Sequence, residues 1–348
     1  MSEPAVLECR NLRKAFPRSG TRRGRATAGA RREEVLAVRD VSLALHAGQV
    51  VALVGESGSG KSTIARLLMG LYPSDAGSIL LSGKTIDPHA RRARQNYRRA
   101  VQMVFQDPFS SLNPLHTVGY HLSRPLRNYA REPHGARASL PDQLEELLAT
   151  VHLSPASQFL GRRPHELSGG QRQRIAVARA LAARPIALLA DEPVSMLDVS
   201  VRLGILNLLR DLSDSRGLAV LYITHDIASA RYFADDIAVM YSGEVVEQGS
   251  AEVVTQQPRH PYSRLLLESV PTPARRLRDR RNESPGEDSI KKLPGANGCR
   301  FLERCPYAEM QCAHVEPELQ TVGDGRVVRC LVVQREGVLP RVHRARST

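Results

Sequence analysis

Val50-Val51-Ala52-Leu53-Val54 runs directly into Gly55-Glu56-Ser57-Gly58-Ser59-Gly60-Lys61-Ser62-Thr63. An apolar run without alternation is the pattern of a strand buried on both faces of a parallel sheet. The stretch after it satisfies G-x-x-x-x-G-K-[ST] at every fixed position, and Ser62 to Leu71 continues as a predicted helix. The chemistry of that spacing is direct. Glycines let the loop wrap until successive backbone N–H groups converge on phosphate oxygens. The helix that follows presents the positive end of its dipole to the same anion. On this reading Gly55, Glu56, Ser57, Gly58, Ser59 and Gly60 form the cradle. Lys61 reaches the outer phosphates of a nucleotide, and Ser62, followed by Thr63, brings a hydroxyl to Mg²⁺.

Further along, Ile186-Ala187-Leu188-Leu189-Ala190 and Ala219-Val220-Leu221-Tyr222-Ile223 are two more buried-strand candidates, each preceded by a helical pattern. Strands alternating with helices predict an α/β core with a parallel sheet. The first of these strands ends in Asp191-Glu192. Ligands of open α/β sheets bind at the carboxyl ends of strands, so Asp191 is placed to hold Mg²⁺ and Glu192 to polarise an attacking water. By itself, an apolar run ending in two carboxylates is as often a solvated strand end. After a complete phosphate loop it is the expected second half of a nucleotide site. Upstream, residues 5–16 and 35–54 read as short strands with partial alternation. Residues 140–183 read as largely helical, punctuated by Pro164 and the Gly169-Gly170 pair.

The whole chain has 348 residues, 42% of them hydrophobic, which excludes a mainly disordered protein. No stretch reaches the ~18 uninterrupted apolar residues of a membrane span. The N-terminal MSEPAVLECR has no apolar core, so no signal peptide is expected. Five cysteines do not make a secreted disulfide scaffold. The net charge is +13, and all but five of the basic residues are arginine. Such a charge points to nucleic acid or to a membrane surface. Much of it lies in local runs: 18–32, 91–99, 275–281 and the last residues. Residues 17–34 carry six arginines and three glycines without apolar periodicity, and read as a surface loop or a basic arm. Residues 271–298, rich in Pro, Arg, Asp and Gly, read as a linker.

Two further segments narrow the class. Leu167-Ser168-Gly169-Gly170-Gln171 opens a helix, and Thr224-His225-Asp226 follows the last buried strand. Together with Gln106 in Val104-Phe105-Gln106-Asp107-Pro108, they resemble the ATP-binding cassette of ABC transporters over roughly residues 5–255, in the family's motif order. The resemblance implies a P-loop NTPase core of α/β class with an antiparallel β subdomain and a helical signature subdomain, with ATP and Mg²⁺ bound. It implies that Gln106 senses Mg²⁺ and the attacking water, and that His225 holds that water near Glu192. Ser168, Gly169, Gly170 and Gln171 would meet the γ-phosphate of a nucleotide held by another cassette. Asp198, in Ser195-Met196-Leu197-Asp198, would lie at the seam between cassettes, where Met196 stands in place of the family's usual alanine. Phe16 is the best match for the ring that stacks on adenine, against the alternative of a core residue at a strand end.

The tail resembles the oligopeptide/dipeptide/nickel branch of ABC importers, on Pro258-Arg259-His260-Pro261-Tyr262-Ser263-Arg264-Leu265-Leu266 and on Cys299-Arg300-Phe301-Leu302-Glu303-Arg304-Cys305-Pro306. The expected domains are a nucleotide-binding domain, 1–256, with its helical subdomain at about 107–183, and a C-terminal extension, 257–348. Cys299, Cys305, Cys312 and Cys330 are spaced C-x5-C-x6-C-x17-C, a thiol cluster suited to metal but lacking paired C-x2-C knuckles. In relatives with this tail such cysteines bind a [4Fe–4S] cluster, so the resemblance implies one here; zinc or no metal are the alternatives. Cys9 reads as a small buried core residue. The implied partners are a second ABC ATPase subunit, two transmembrane permease subunits and an extracytoplasmic substrate-binding protein, with no nucleic acid. The implied location is peripheral, at the cytoplasmic face of the membrane. The function expected is ATP-driven import of di- and oligopeptides. Two alternatives stand beside it: the same branch carrying oligosaccharide or nickel, and a soluble ABC ATPase acting on nucleic acid or ribosomes. The last usually carries a long coiled coil or a second cassette, and only about a hundred residues without heptads separate Ser62 from Leu167.

Overall fold

The computed structural model describes residues 4–17, 34–86, 91–107, 111–129, 139–270, 298–323 and 325–339. The arginine-rich insertion and the proline-rich linker, apart from their end residues, lie outside them. In chain order the elements are β1 (Leu7–Pro17), β2 (Glu34–Leu45), β3 (Val50–Val54), α1 (Lys61–Leu68), β4 (Ala76–Leu81), β5 (Lys84–Thr85), α2 (Arg91–Ala100) and β6 (Val101–Val104). Then come α3 (Val118–Asn128), α4 (Leu140–Thr150), α5 (Ser157–Leu160), α6 (Gly169–Leu181), β7 (Ala187–Asp191), α7 (Val199–Arg216), β8 (Ala219–Thr224), α8 (Ile227–Phe233), β9 (Asp236–Tyr241) and β10 (Glu244–Ser250). The chain closes with α9 (Ala251–Gln256), α10 (Pro261–Ser269), a 3-10 turn (Leu302–Arg304), α11 (Met310–His314), β11 (Gln320–Val322), β12 (Arg326–Val328) and α12 (Leu331–Glu336).

The chain divides into two compact units. The first comprises Met1–Leu12, Ser42–Val51 and Ser62–Ile223. In it β6, β7 and β8 run parallel, Val101 opposite Ala187 and Ala187 opposite Ala219. Every residue of β7 is buried, and so is every residue of β8, as their unbroken apolar runs require. The antiparallel part is built from β4 and β5, Leu80 opposite Thr85, and from the N-terminal strand. Val6 N–H donates to Leu45 O at 2.8 Å, and Ser82 N–H donates to Val6 O at 2.9 Å. The helical part rests on α3, α4 and α6, whose apolar faces bury Leu122, Leu144, Leu147, Leu148, Ile175 and Val177. The start of α4 is set by a capping box: Ser139 N–H donates to Asp142 Oδ2 at 3.0 Å, and Asp142 N–H to Ser139 Oγ at 3.3 Å. Gly217 at φ +63° ends α7 in the left-handed conformation that glycine adopts without strain.

The second unit comprises Arg13–Val41, Ala52–Lys61 and Thr224–Thr348. Here β10 pairs antiparallel with β9 and parallel with β2. β12 also joins β10, antiparallel, Glu247 opposite Val328, and β11 pairs with β12. The tail is thus woven into the sheet. A buried ion pair lies at the join: Arg326 is 3.6 Å from Glu247, with side chains 1% and 0% exposed. A buried carboxylate needs its remaining lone pairs filled. Glu247 meets this by accepting the N–H groups of Arg259 and His260, each at 2.8 Å.

Candidate nucleotide site

In the second unit the Gly55–Lys61 turn is held close to strand edges. A Cβ on Gly55 would lie 2.2 Å from Met240 O, and one on Gly60, whose φ is +107°, would lie 2.3 Å from Ala37 O. Only glycine fits either position. Gly243 N–H donates to Ser59 O at 2.9 Å, tying the turn to the β9–β10 hairpin. The buried Lys61 ammonium donates to Gly55 O at 2.7 Å and Glu56 O at 2.8 Å, and reaches Ser59 Oγ at 3.4 Å. Its charge is therefore fixed on the inside of the loop. His225 is exposed at a stiff corner beyond β8. There Asp226 N–H donates to Thr224 Oγ1, and Asp226 Oδ1 accepts Ala228 N–H, both at 3.0 Å. Phe16 is half-buried at the end of β1, with Lys14 Nζ 5.6 Å from its ring centroid.

The first unit brings together Ser62, Asp191, Glu192 and Gln106. Ser62 Oγ donates to Asp191 Oδ1 at 3.1 Å, and Asp191 is buried. A hydroxyl and a carboxylate oxygen are the hard donors Mg²⁺ takes, and their separation is close to that of adjacent ligands at about 2.1 Å from the ion. The residues present therefore fit Mg²⁺. Glu192 has φ +46°, a left-handed conformation costing a non-glycine residue about 1 kcal/mol or more. The corner is held by Glu192 N–H donating to Ile223 O at 2.9 Å and by Ser195 Oγ donating to Glu192 O at 3.0 Å. Gln106 Nε2 donates to Glu192 Oε2 at 3.2 Å, so its amide is turned to the carboxylate expected to act on water.

The signature segment is a capped helix start. Gln171 N–H donates to Ser168 Oγ at 3.2 Å, and Ser168 N–H donates to Gln171 Oε1 at 3.0 Å. Gln171, grouped from sequence with the nucleotide ligands, here braces the cap. Amides of a first helical turn have no intrahelical acceptor, which leaves those of Gly169 and Gly170 suited to an anion. A Cβ on Gly170 would lie 2.5 Å from Val201 Cγ1, so the helix start packs tightly on α7. Asp198 is exposed at the N-terminus of α7, flanked by Met196 (59% exposed), Val199 (73%) and Leu203 (46%).

The cysteines behave differently. Burial pushes the Cys299 thiol up to about 11 and Cys305 up to about 12, with the neighbouring cysteines of the tail adding to both shifts. Cys9 is buried in β1, its thiol pushed up to about 12 by the same desolvation. Among the described residues no group of three or more His, Cys, Asp or Glu side chains is placed to hold a metal ion. The [4Fe–4S] expectation for Cys299, Cys305, Cys312 and Cys330 thus gains no support. Cys312 packs with Leu302, Ala313 and Cys299, and Cys330 with Val328 and Val332.

Two residues at the loop were not singled out for it by the sequence. Tyr262 Oη accepts Glu56 N–H at 2.8 Å, and Arg304 makes a two-bond ion pair with the Glu56 carboxylate at 2.8 and 2.9 Å. They lie 206 and 248 residues from Glu56, and no local pattern signals either contact.

This arrangement is that of an ATP-binding cassette, and solved structures agree. One is cbiO1 from Clostridium perfringens, described as part of the ABC transporter complex cbiONQ: TM-score 0.59, 26% identity, 72% of this chain and 91% of that one. Another is the cassette MJ0796 as a dimer in a post-hydrolysis state with ADP and phosphate: TM-score 0.58, 29% identity, 70% and 98% covered. Residues 38–195 match the family described as ABC transporter, and residues 246–312 the family described as Oligopeptide/dipeptide transporter, C-terminal region. A Brucella abortus protein named for peptide import and ATP binding is 47% identical over 84% of this chain and 86% of its own length. The oligopeptide transport ATP-binding protein OppF of Haemophilus influenzae is 38% identical over 87% and 91%. The chain belongs to the ATP-binding proteins of the ABC transporters, in the branch that carries the oligopeptide/dipeptide C-terminal region.

Proposed function

We propose that this chain is the ATP-hydrolysing subunit of a binding-protein-dependent importer of di- and oligopeptides. The observation that carries the ATPase reading is the pair of contacts in the first unit, Ser62 on Asp191 and Gln106 on Glu192. The match of residues 246–312 to the oligopeptide/dipeptide C-terminal region, with the peptide-import names of the relatives, supports the peptide reading over oligosaccharide or nickel.

In this reading Ser62, Asp191 and Gln106 hold Mg²⁺, which supplies charge neutralisation on the phosphates. Gly55 to Gly60 present backbone amides to the same oxygens, and Lys61 moves its ammonium from the Gly55 and Glu56 carbonyls to the outer phosphates. Glu192, locked by its strained corner, accepts the proton of the attacking water, with Gln106 orienting the carboxylate and His225 holding the water. Phe16 stacks on the base. Ser168, Gly169 and Gly170 act on a nucleotide held by another cassette, with Gln171 bracing them and Asp198 at the seam. The exposed apolar residues beside Asp198 support such a seam. The partners are a second cassette subunit, two permease subunits and an extracytoplasmic substrate-binding protein. No helix among the described residues is long and apolar enough to cross a membrane, so permease subunits would supply the spans and the chain would dock on their cytoplasmic face. Residues 1–256 form the nucleotide-binding domain, with 107–183 its helical part, and 257–348 the extension that carries the four clustered cysteines.

Glu192→Gln tests the assignment. ATP binding should persist while turnover falls by about 10²-fold or more, the scale of a lost general base. Undiminished ATPase activity would remove Glu192 from the reaction. Uptake of labelled peptide into vesicles carrying the assembled transporter, with oligosaccharide and nickel as competitors, tests the cargo.

A further inference from the structure

Glu56 has each of its polar groups held. Its N–H donates to Tyr262 Oη at 2.8 Å. Its backbone carbonyl accepts from Lys61 Nζ at 2.8 Å. Its carboxylate takes Arg304 Nη1 on Oε2 at 2.9 Å and Arg304 Nη2 on Oε1 at 2.8 Å. Paired parallel bonds of this kind fix geometry as well as charge.

Arg304 is itself fixed before it meets Glu56. Its guanidinium lies 5.7 Å from the Tyr241 ring, 6.0 Å from Tyr262 and 5.7 Å from Phe301. These rings pack on one another, with centroids 4.6 Å apart for Tyr241–Tyr262 and 5.6 Å for Tyr262–Phe301. A guanidinium over aromatic faces is attracted to them and loses less freedom when it pairs. Both Arg304 and Phe301 belong to the cysteine-bearing tail.

A carboxylate on a phosphate loop is a liability. Glu56 interacts favourably with Lys61, so without a partner of its own it competes with phosphate for that ammonium and repels the polyphosphate. We propose that Arg304 is a positioning residue of the nucleotide site: seated on Tyr241, Tyr262 and Phe301, it holds and neutralises the Glu56 carboxylate, so that Lys61 and the loop stay available to ATP. The inference rests on the reading of Gly55–Thr63 as an ATP site. Arg304 does not touch the nucleotide. It makes the C-terminal region part of the machinery that sets ATP affinity. The hydrogen bond to Arg304 also keeps the carboxyl below its ordinary range.

The test is Mg-ATP binding to the purified full chain by calorimetry. It compares wild type, Lys61→Ala, Arg304→Ala, Arg304→Gln and the double variant Glu56→Gln/Arg304→Gln. With the two side chains 42% and 43% exposed, the effect is that of a solvent-screened pair. The neutral Arg304 variants should bind ATP about three- to fivefold more weakly, and the loss should shrink as salt is raised. The double variant, with no charge left to neutralise, should return close to wild type. In ATPase assays the loss should fall on KM for ATP more than on kcat, a split that general destabilisation would not produce. Arg304→Gln, which keeps the Cβ–Cγ–Cδ stem and a polar end without the charge, decides the matter if Arg304→Ala does not fold. ATP affinity unchanged in the neutral variants, or a double variant as weak as the single, would overturn the inference alone. A wild-type chain that does not bind ATP, or Lys61→Ala binding as wild type does, would overturn the site reading and this inference with it.

Discussion

At Glu192 the backbone is turned to φ +46° and pinned by bonds to Ile223 O and from Ser195. Strain retained where the surroundings over-determine it is a common feature of reacting groups. Sequence places Asp191 and Glu192 at a strand end but says nothing of this corner, since the pinning carbonyl comes from the neighbouring strand. Gln106 was legible as a motif residue, yet its bond to Glu192 spans 86 positions and needed the fold. Gln171, expected with the ligands from its motif, also accepts Ser168 N–H on its side-chain carbonyl as part of the cap. Ser62 makes the sharpest prediction at this scale. Ser62→Ala removes the hydroxyl bonded to Asp191, a charge-assisted bond whose loss costs about tenfold or more. ATP turnover in Mg²⁺ should fall by that factor, while nucleotide binding in excess chelator stays near wild type. Equal loss in both conditions would take Ser62 out of the Mg²⁺ set.

Among the elements, those read from unbroken apolar runs were the most legible. β3, β7 and β8 fall within a residue of the expected runs, because a strand covered on both faces is apolar up to its end, where Asp191 and Thr224 stand. Helix ends were less legible. α1 stops at Leu68, three residues short of Leu71, with Gly70 at φ +64° following it. Strand pairing in the tail was not legible at all. β12 is hydrogen-bonded to β10, and the segment after α9 is anchored on Glu247. His260 at that anchor is buried, its Nδ1 accepting Tyr262 N–H at 3.0 Å, and burial holds its pKa down to about 3 against an ordinary 6.5. A depressed histidine pKa means the unfolded chain binds the proton first. The stabilisation is present above about pH 6.5 and is lost as pH falls toward 3. Melting temperature should therefore drop between pH 7 and pH 5, with this group contributing up to about 1.4 kcal/mol per pH unit. His260→Asn keeps an acceptor for Tyr262 N–H and should flatten the dependence; an unchanged slope would assign it elsewhere.

For the whole molecule, Met196, Val199 and Leu203 are exposed beside Asp198, and on the proposed function a second cassette would cover this face. On the proposed function, the signature serving this phosphate loop would come from a second cassette subunit. Met196→Glu should leave the isolated chain's stability within about 0.5 kcal/mol, as for other exposed positions. It should also lower ATP hydrolysis by the assembled transporter about tenfold, the cost of a charge in a packed interface. Hydrolysis equal to wild type would place the seam elsewhere. Much of the basic charge that pointed to nucleic acid or a membrane surface lies in runs at 18–32, 91–99, 275–281 and the last residues, of which only 91–99, on α2, falls within the described segments. By itself the sequence determined the class of protein, the phosphate loop, the acidic pair and the signature. Each of these is written within a few consecutive residues, where backbone amides, glycines and caps act locally. Only the tertiary structure decided that Gln106 faces Glu192, that the tail pairs with β10, and that Arg304 reaches Glu56 across 248 positions. Such pairings depend on which strand edges and aromatic faces the folded chain brings within a few ångströms, and no local spacing encodes that.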